Sequence, residues 1–187
     1  MKRNIVFIGS MGSGKSHIGR NLANALGWQF VDTDRCLEQQ YRKPIADIYE
    51  KLGEKGFIQA EQQVLKRVAL YHEAVISVGG NFLMKRRTIH MLQRYSHVIF
   101  LCASEKRLVS RVKRRMGKRP TMNYEDINGF VQSMVQSWRP LCGECDDVLD
   151  TTYGDSEDLI QRVLDGIEKR GITFKKRRKV EKDETTI

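Results

Sequence analysis

The sequence predicts an α/β fold with a parallel sheet, and three observations carry that expectation. Short runs rich in β-branched and aromatic residues alternate with stretches of helical period along the 187 residues. The first run leads directly into a glycine-rich turn that opens a helix. No internal repeat competes with this alternation, and strands alternating with helices pack as helices on a parallel sheet.

Taken in order, residues 5–8 (Ile-Val-Phe-Ile) read as a buried strand ending in the turn. Residues 16–26 read as a helix, with Ile18, Leu22, Ala25 and Leu26 at helical spacing and Gly27 as its stop. Phe30 and Val31 form a second strand, and a helix is expected over residues 34–42. Residues 44–52 and 57–71 follow as helices. Residues 74–78, closed by Gly79 and Gly80, are a third strand. A helix near 87–93 precedes a fourth strand at 97–101, and a basic helix covers 105–115. The polar stretch 117–126 is expected to be a mobile loop. Residues 127–138 form a helix, 147–150 a fifth strand and 156–170 a last helix. From Lys175 onward apolar content almost vanishes, so a disordered basic tail at 175–187 is expected after one folded domain at 1–174.

Composition narrows the function classes. With 40% apolar and 30% charged residues, the chain suits one soluble domain with a substantial core. No apolar run nears the ~18 residues of a membrane span. The run at 5–8 falls short of the roughly 7–15 residues of a signal-peptide core. A cytoplasmic protein without membrane contact is therefore expected, and four cysteines suit free thiols in a reducing compartment. The single CxxC, Cys142 and Cys145, lacks the two further ligands a zinc site needs, so no metal or redox role is expected of it. The net charge of +10 raises a nucleic-acid partner. The charge is concentrated, however, in residues 106–119, with eight Lys or Arg in fourteen positions, and in residues 175–179. No recognition helix, zinc module or aromatic stacking motif accompanies either cluster, so nucleic acid is not the expected partner. The tail is read as a solvated end, in preference to a nuclear-import signal.

The motif that carries chemistry is Gly9-Ser10-Met11-Gly12-Ser13-Gly14-Lys15-Ser16, which fits G-x4-G-K-[ST] at every fixed position. Its glycines allow backbone N–H groups to turn inward around phosphate oxygens, and the helix that follows adds its positive end. Lys15 is expected to reach the β- and γ-phosphates, and the Ser16 hydroxyl to ligate Mg²⁺. Asp32 and Asp34 close the second strand, where the carboxyl ends of parallel strands place their ligands. In an extended chain, side chains two apart share a face, so the two carboxylates converge. Asp32 is expected to face the cation's water shell and Asp34 a substrate hydroxyl. Either could also cap the next helix, with Asp34 able to do both.

With these pieces in order, the chain resembles the shikimate kinases over about residues 4–168. The resemblance rests on IVFIGSMGSGKSHIGRNLANALG, FVDTDRCLEQ, IADIYEKLGEKGF with its following AE, VISVGG and KRP. It implies a P-loop NTPase fold with a five-stranded parallel sheet flanked by helices, and a mobile lid at about residues 112–126. It also implies transfer of the ATP γ-phosphate to the 3-hydroxyl of shikimate, in aromatic amino-acid biosynthesis, by a monomer. Carried over residue by residue, Gly12, Ser13, Gly14, Lys15, Ser16 and His17 would line the nucleotide, with Ser16 and Asp32 on the metal. Asp34 would hold and deprotonate the accepting hydroxyl, and Gly79 and Gly80 would let backbone approach the substrate. Arg119, in KRP, would be the lid arginine beside the transferring phosphoryl group, and Arg114 or Arg115 would stack on adenine. Lys106, Arg107 and Lys113 are read as a solvated face.

The departures from the family pattern lie on the substrate side. The arginine that grips the shikimate carboxylate would fall at Ile58, and the third glycine of the family's triplet at Asn81. A second carboxylate-binding arginine is shifted by one residue, to Arg139, and one residue turns a helical side chain by about 100°. Three functions fit: a shikimate kinase whose missing charge comes from Lys55 or Arg139, a kinase for another small polyol, or a nucleotide-binding protein without kinase activity. The intact Lys15, Ser16, Asp32, Asp34 and Arg119 argue against the third.

Overall fold

The computed structural model describes residues 2–114 and 126–172. Five strands, β1 (Asn4–Ile8), β2 (Gln29–Asp32), β3 (Ala74–Ser77), β4 (Ser96–Cys102) and β5 (Asp147–Asp150), form one sheet in the order β2-β3-β1-β4-β5. Every pairing is parallel. Along β1, Ile5 and Phe7 pack into one apolar cluster while Val6 and Ile8 pack into another. Helices cover both faces, which is why β1 reads as an unbroken apolar run and not as an alternation.

One face is covered by α1 (Lys15–Leu26) and α7 (Ser156–Lys169), through Ile18, Leu22, Leu159 and Val163. The other carries α2 (Thr33–Tyr41), α3 (Ile45–Val68), α4 (Arg86–Gln93), α5 (Glu105–Lys113) and α6 (Ile127–Trp138). A 3₁₀ turn, Arg139–Glu144, follows α6. The two helices expected over 44–52 and 57–71 are the two limbs of α3. They join at Gly53, whose φ of 64° and ψ of 174° are non-helical and suit glycine. Residues 117–125 of the expected loop, most of the expected lid and the basic tail fall on residues outside the described ones, as do Arg115 and Arg119, while Asp126 is the N-cap of α6.

Chain order then dictates where chemistry can sit. The carboxyl ends of β1, β2 and β3 bring the loop at 9–14, Asp32 and Ser77 to one rim. At the opposite end, His97 is fully buried, and its Nε2 lies 2.6 Å from an Asp147 oxygen. Arg170 grips Asp147 through Nε and Nη2, and Lys2 pairs with Asp146 at 2.6 Å.

Candidate active site

The P-loop is built around glycine conformations. Gly14, at φ 99°, is the N-cap of α1, and Gly9, at φ 134°, lies so close to β4 that a Cβ would strike the Leu101 carbonyl at 2.2 Å. Lys15 is buried and folded over the loop, its Nζ donating to the Gly9 and Ser10 carbonyls at 2.8 Å each. The first N–H groups of α1 have no partner within the helix, so the same point carries donors and the helix dipole. Ser13 Oγ is buried and has no hydrogen-bond partner among the described residues.

Asp32 divides its two oxygens. Oδ1 accepts from the Asp34 N–H at 3.1 Å, which makes Asp32 the N-cap of α2. Oδ2 accepts from Ser16 Oγ at 2.8 Å, and Ser77 Oγ lies 3.2 Å from that hydroxyl. The cap is therefore Asp32, not Asp34, because the strand ends at Asp32 and leaves it in extended backbone before the first helical turn. The donor set tests which metal fits. One carboxylate and two hydroxyls, all hard oxygens, suit Mg²⁺, which keeps waters and phosphate oxygens for its remaining positions. Among the described residues no cluster of three His, Cys, Asp or Glu forms an all-protein cage.

Two cavities meet at Asp34. The first, of about 260 Å³, is bounded by Gly12, Gly14, Lys15, Ser16, Asp32, Gly79 and Gly80. The second, of about 270 Å³, lies between α3 and the loop after β3, with Tyr49, Glu54, Phe57, Ile58, Glu61, Asn81 and Leu83 on its walls. Asp34, Ile45 and Ala46 border both. The glycines after β3 make room: a Cβ at Gly79 would lie 2.3 Å from Asp34 Oδ1, and one at Gly80 would lie 2.9 Å from Met11 backbone atoms. Thr33 Oγ1, buried, accepts from the Gly79 N–H at 2.9 Å and ties this loop to α2.

The structure thus brings Gly12, Gly14, Lys15, Ser16, Asp32, Asp34, Gly79 and Gly80 to one cavity and Ile58 to its neighbour. His17 is exposed and faces another cavity beside Arg111, Arg114 and Ser156, with Nε2 2.6 Å from Ser156 Oγ. Arg139 is exposed at the start of the 3₁₀ turn and on the wall of neither central cavity, and the same holds for Lys55. Sequence reasoning passed over three residues. Ser77 and Thr33 lack any motif of their own. Arg111, one of many charges on a basic helix, is the one that reaches the P-loop. Its Nη1 donates to the Gly12 carbonyl at 3.1 Å and to Thr151 Oγ1 at 3.0 Å, and Thr151 in turn donates to the Ser13 carbonyl at 2.8 Å. Arg107, read as solvated, donates through Nε to the Thr152 carbonyl at 3.1 Å. The CxxC offers no reactive thiolate at Cys145. Burial, with Cys142 beside it, pushes its thiol up to about 12.

The family profile that matches, described as Shikimate kinase, covers residues 11–168. A shikimate kinase from Synechococcus sp. (strain RCC307) is 34% identical over 161 residues, covering 86% of this chain and 82% of the relative. One from Symbiobacterium thermophilum is 33% identical over 170 residues, covering 90% of this chain and 98% of the relative. Among solved structures, a shikimate kinase from Acinetobacter baumannii in complex with shikimate superposes with a TM-score of 0.84 at 28% identity. It covers 92% of this chain and 97% of that one. The profile spans the P-loop from Met11 onward, both carboxylates and the loop after β3, and the superposition covers 92% of the chain that builds the five-stranded parallel sheet, so this chain belongs to the shikimate kinase family.

Proposed function

We propose that this chain is an ATP-dependent kinase that transfers the γ-phosphate to the 3-hydroxyl of shikimate, in the cytoplasm and with Mg²⁺. The observation that supports it most is the position of Asp34 on the wall common to two cavities. One cavity is floored by a phosphate-binding loop and the other is sized for a small ring compound. A carboxylate at that boundary is where phosphoryl transfer to a hydroxyl needs its base.

The residues divide the work. N–H groups of the P-loop and the start of α1 hold the phosphates, and Lys15 offsets charge on the β- and γ-phosphates. Ser16 and Asp32, joined at 2.8 Å, would hold Mg²⁺ with Ser77 behind them, and the ion when bound neutralises phosphate oxygens. Asp34 takes the hydroxyl proton as that oxygen bonds to the γ-phosphorus. The bond from the γ-phosphorus to the β–γ bridging oxygen breaks, and ADP leaves. Arg119, beyond the described residues, is proposed to meet the charge on the transferring group.

A coupled assay of ADP release, with and without shikimate, tests the reading. Saturable shikimate-dependent release is expected, lowered at least about a hundredfold by Lys15→Ala. Asp34→Asn should cost roughly 10²–10⁴ in kcat and leave ATP binding in place. ATP binding without any shikimate-dependent release would sink the proposal.

A further inference from the structure

We propose that Thr151, on the turn after β5, is a positioning residue for the nucleotide's phosphates. Its hydroxyl fixes the orientation of one P-loop peptide, so phosphate affinity depends on it and acceptor affinity does not. The inference rests on the ATP reading above and assigns that site a determinant lying outside its motif.

A loop that cradles phosphate aims N–H groups inward, and a trans peptide then aims the matching carbonyls outward. Carbonyls turned into the protein need donors of their own. Lys15 Nζ serves the Gly9 and Ser10 carbonyls, in the first half of the loop. The second half is served by α5 and the turn after β5. Arg111 Nη1 donates to the Gly12 carbonyl at 3.1 Å, and Thr151 Oγ1 donates to the Ser13 carbonyl at 2.8 Å. A hydroxyl has one proton to give. The Cys102 carbonyl lies 3.0 Å from the same oxygen but already accepts the Thr151 N–H at 2.8 Å, so the nearer Ser13 carbonyl takes that proton.

The Ser13–Gly14 peptide is the one that most needs holding. Gly14 sits at φ 99° and has no Cβ, so the local backbone alone does little to stop this peptide from turning over. In the turned state the Gly14 N–H, at the mouth of α1, would leave the phosphates and a carbonyl oxygen would face them. Thr151 is itself immobilised. Its carbonyl accepts from Arg111 Nη2 at 2.8 Å. Its neighbour Thr152 accepts from the Ser104 N–H and donates its own N–H to Asp150 Oδ1, both at 2.8 Å. Thr151 is only 1% exposed and its hydroxyl is committed to protein groups, so it acts through the loop and not on the ligand.

The test titrates the full chain with ADP and Mg²⁺, and with inorganic tripolyphosphate and Mg²⁺ in competition against ADP. Thr151→Val removes the hydroxyl at nearly constant volume. It is expected to weaken both ligands by the same factor, about tenfold, the size of one forfeited buried hydrogen bond. Thr151→Ser keeps the hydroxyl and should stay within about threefold of wild type, with the KM for shikimate unchanged in both variants. Where Thr151→Val fails to fold, Thr151→Ala removes the same hydroxyl without a methyl facing Ser13 and should give the same loss. Wild-type ADP affinity in the variants lacking the hydroxyl, or a Thr151→Ser as weak as they are, would overturn the inference. So would a loss for ADP without one for tripolyphosphate, which would place the effect on the base, or an equal rise in the KM for shikimate. A wild-type chain that binds no ADP would instead overturn the ATP reading beneath it.

Discussion

At the scale of single residues, Asp32 and Asp34 share a cavity for a different reason from the one their spacing suggests. Alternation along a strand would place them on one face, but the strand stops at Asp32 and Asp34 belongs to the first turn of α2. What aligns them is the cap: the Asp34 N–H on Asp32 Oδ1 fixes the start of the helix and so the exit direction of Asp34. The two glycines after β3 serve different partners, and that difference is measurable. Gly79→Ala puts a methyl against Asp34 Oδ1, so kcat should fall while ATP binding holds. Gly80→Ala puts it against Met11 backbone, so the KM for ATP should rise and stability drop by about 1–3 kcal/mol. Equal effects of the two substitutions on both constants would contradict the assignment. The P-loop itself was legible because a fixed motif in consecutive residues carries it. Ser77, Thr33 and Arg111 were not, because their importance comes from neighbours 40 to 100 positions away.

At the scale of elements, α3 is the informative one. The sequence reads it as two helices, and the structure joins them through one non-helical residue, Gly53. The break sets the direction of the second limb, which carries Glu54, Phe57, Ile58 and Glu61 to the second cavity. Gly53→Ala meets no atom within 4 Å, so its cost comes from backbone strain alone, about 1–3 kcal/mol for a non-glycine residue in this region. A lowered urea midpoint together with a raised acceptor KM is expected, and an unchanged midpoint would argue against strain at this joint. Helix α5 shows the limit of pattern reading. Its charges are alike in sequence, yet Arg111 straps the helix to the P-loop, Arg107 bonds the turn after β5 and Lys113 is exposed.

At the scale of the whole molecule, the end of the sheet away from the site makes folding sensitive to acid. His97 is buried at the start of β4 with Nε2 on Asp147. Among the described residues its Nδ1 has no hydrogen-bond partner, and the nearest Asp146 oxygen lies at 3.9 Å. Burial pushes its pKa below the ordinary range, with the hydrogen bond to Asp147 opposing. The unfolded chain takes up this proton near pH 6.5, roughly, and the folded chain only at lower pH. Between those values the unfolded state binds more protons, so stability falls as pH drops through the window. Asp147 adds to the trend at lower pH. Burial opposes its charge, but the hydrogen bonds from Arg170 and His97 outweigh that and hold its carboxyl below the ordinary range. Its contribution is present above the unfolded carboxyl pKa and is lost as pH falls through the folded value. Urea midpoints measured across pH should decline below about 6.5, and His97→Gln should flatten the first part of that decline. A variant with the wild-type slope would show that His97 does not carry it.

By itself, the sequence determined the order and type of nearly every element, the phosphate-binding loop and the pair of carboxylates. These rest on local periodicity, glycine conformations and a motif in consecutive residues. Only the tertiary structure decided which oxygen of Asp32 caps and which meets Ser16, which arginine of α5 touches the P-loop, and that Arg139 lines neither central cavity. It also decided that the second cavity carries Glu54 and Glu61 beside Ile58. The physical reason is common to all of these. Each depends on where residues distant in the chain come to lie, and that is set by sheet order, by the break at Gly53 and by the packing of Trp138.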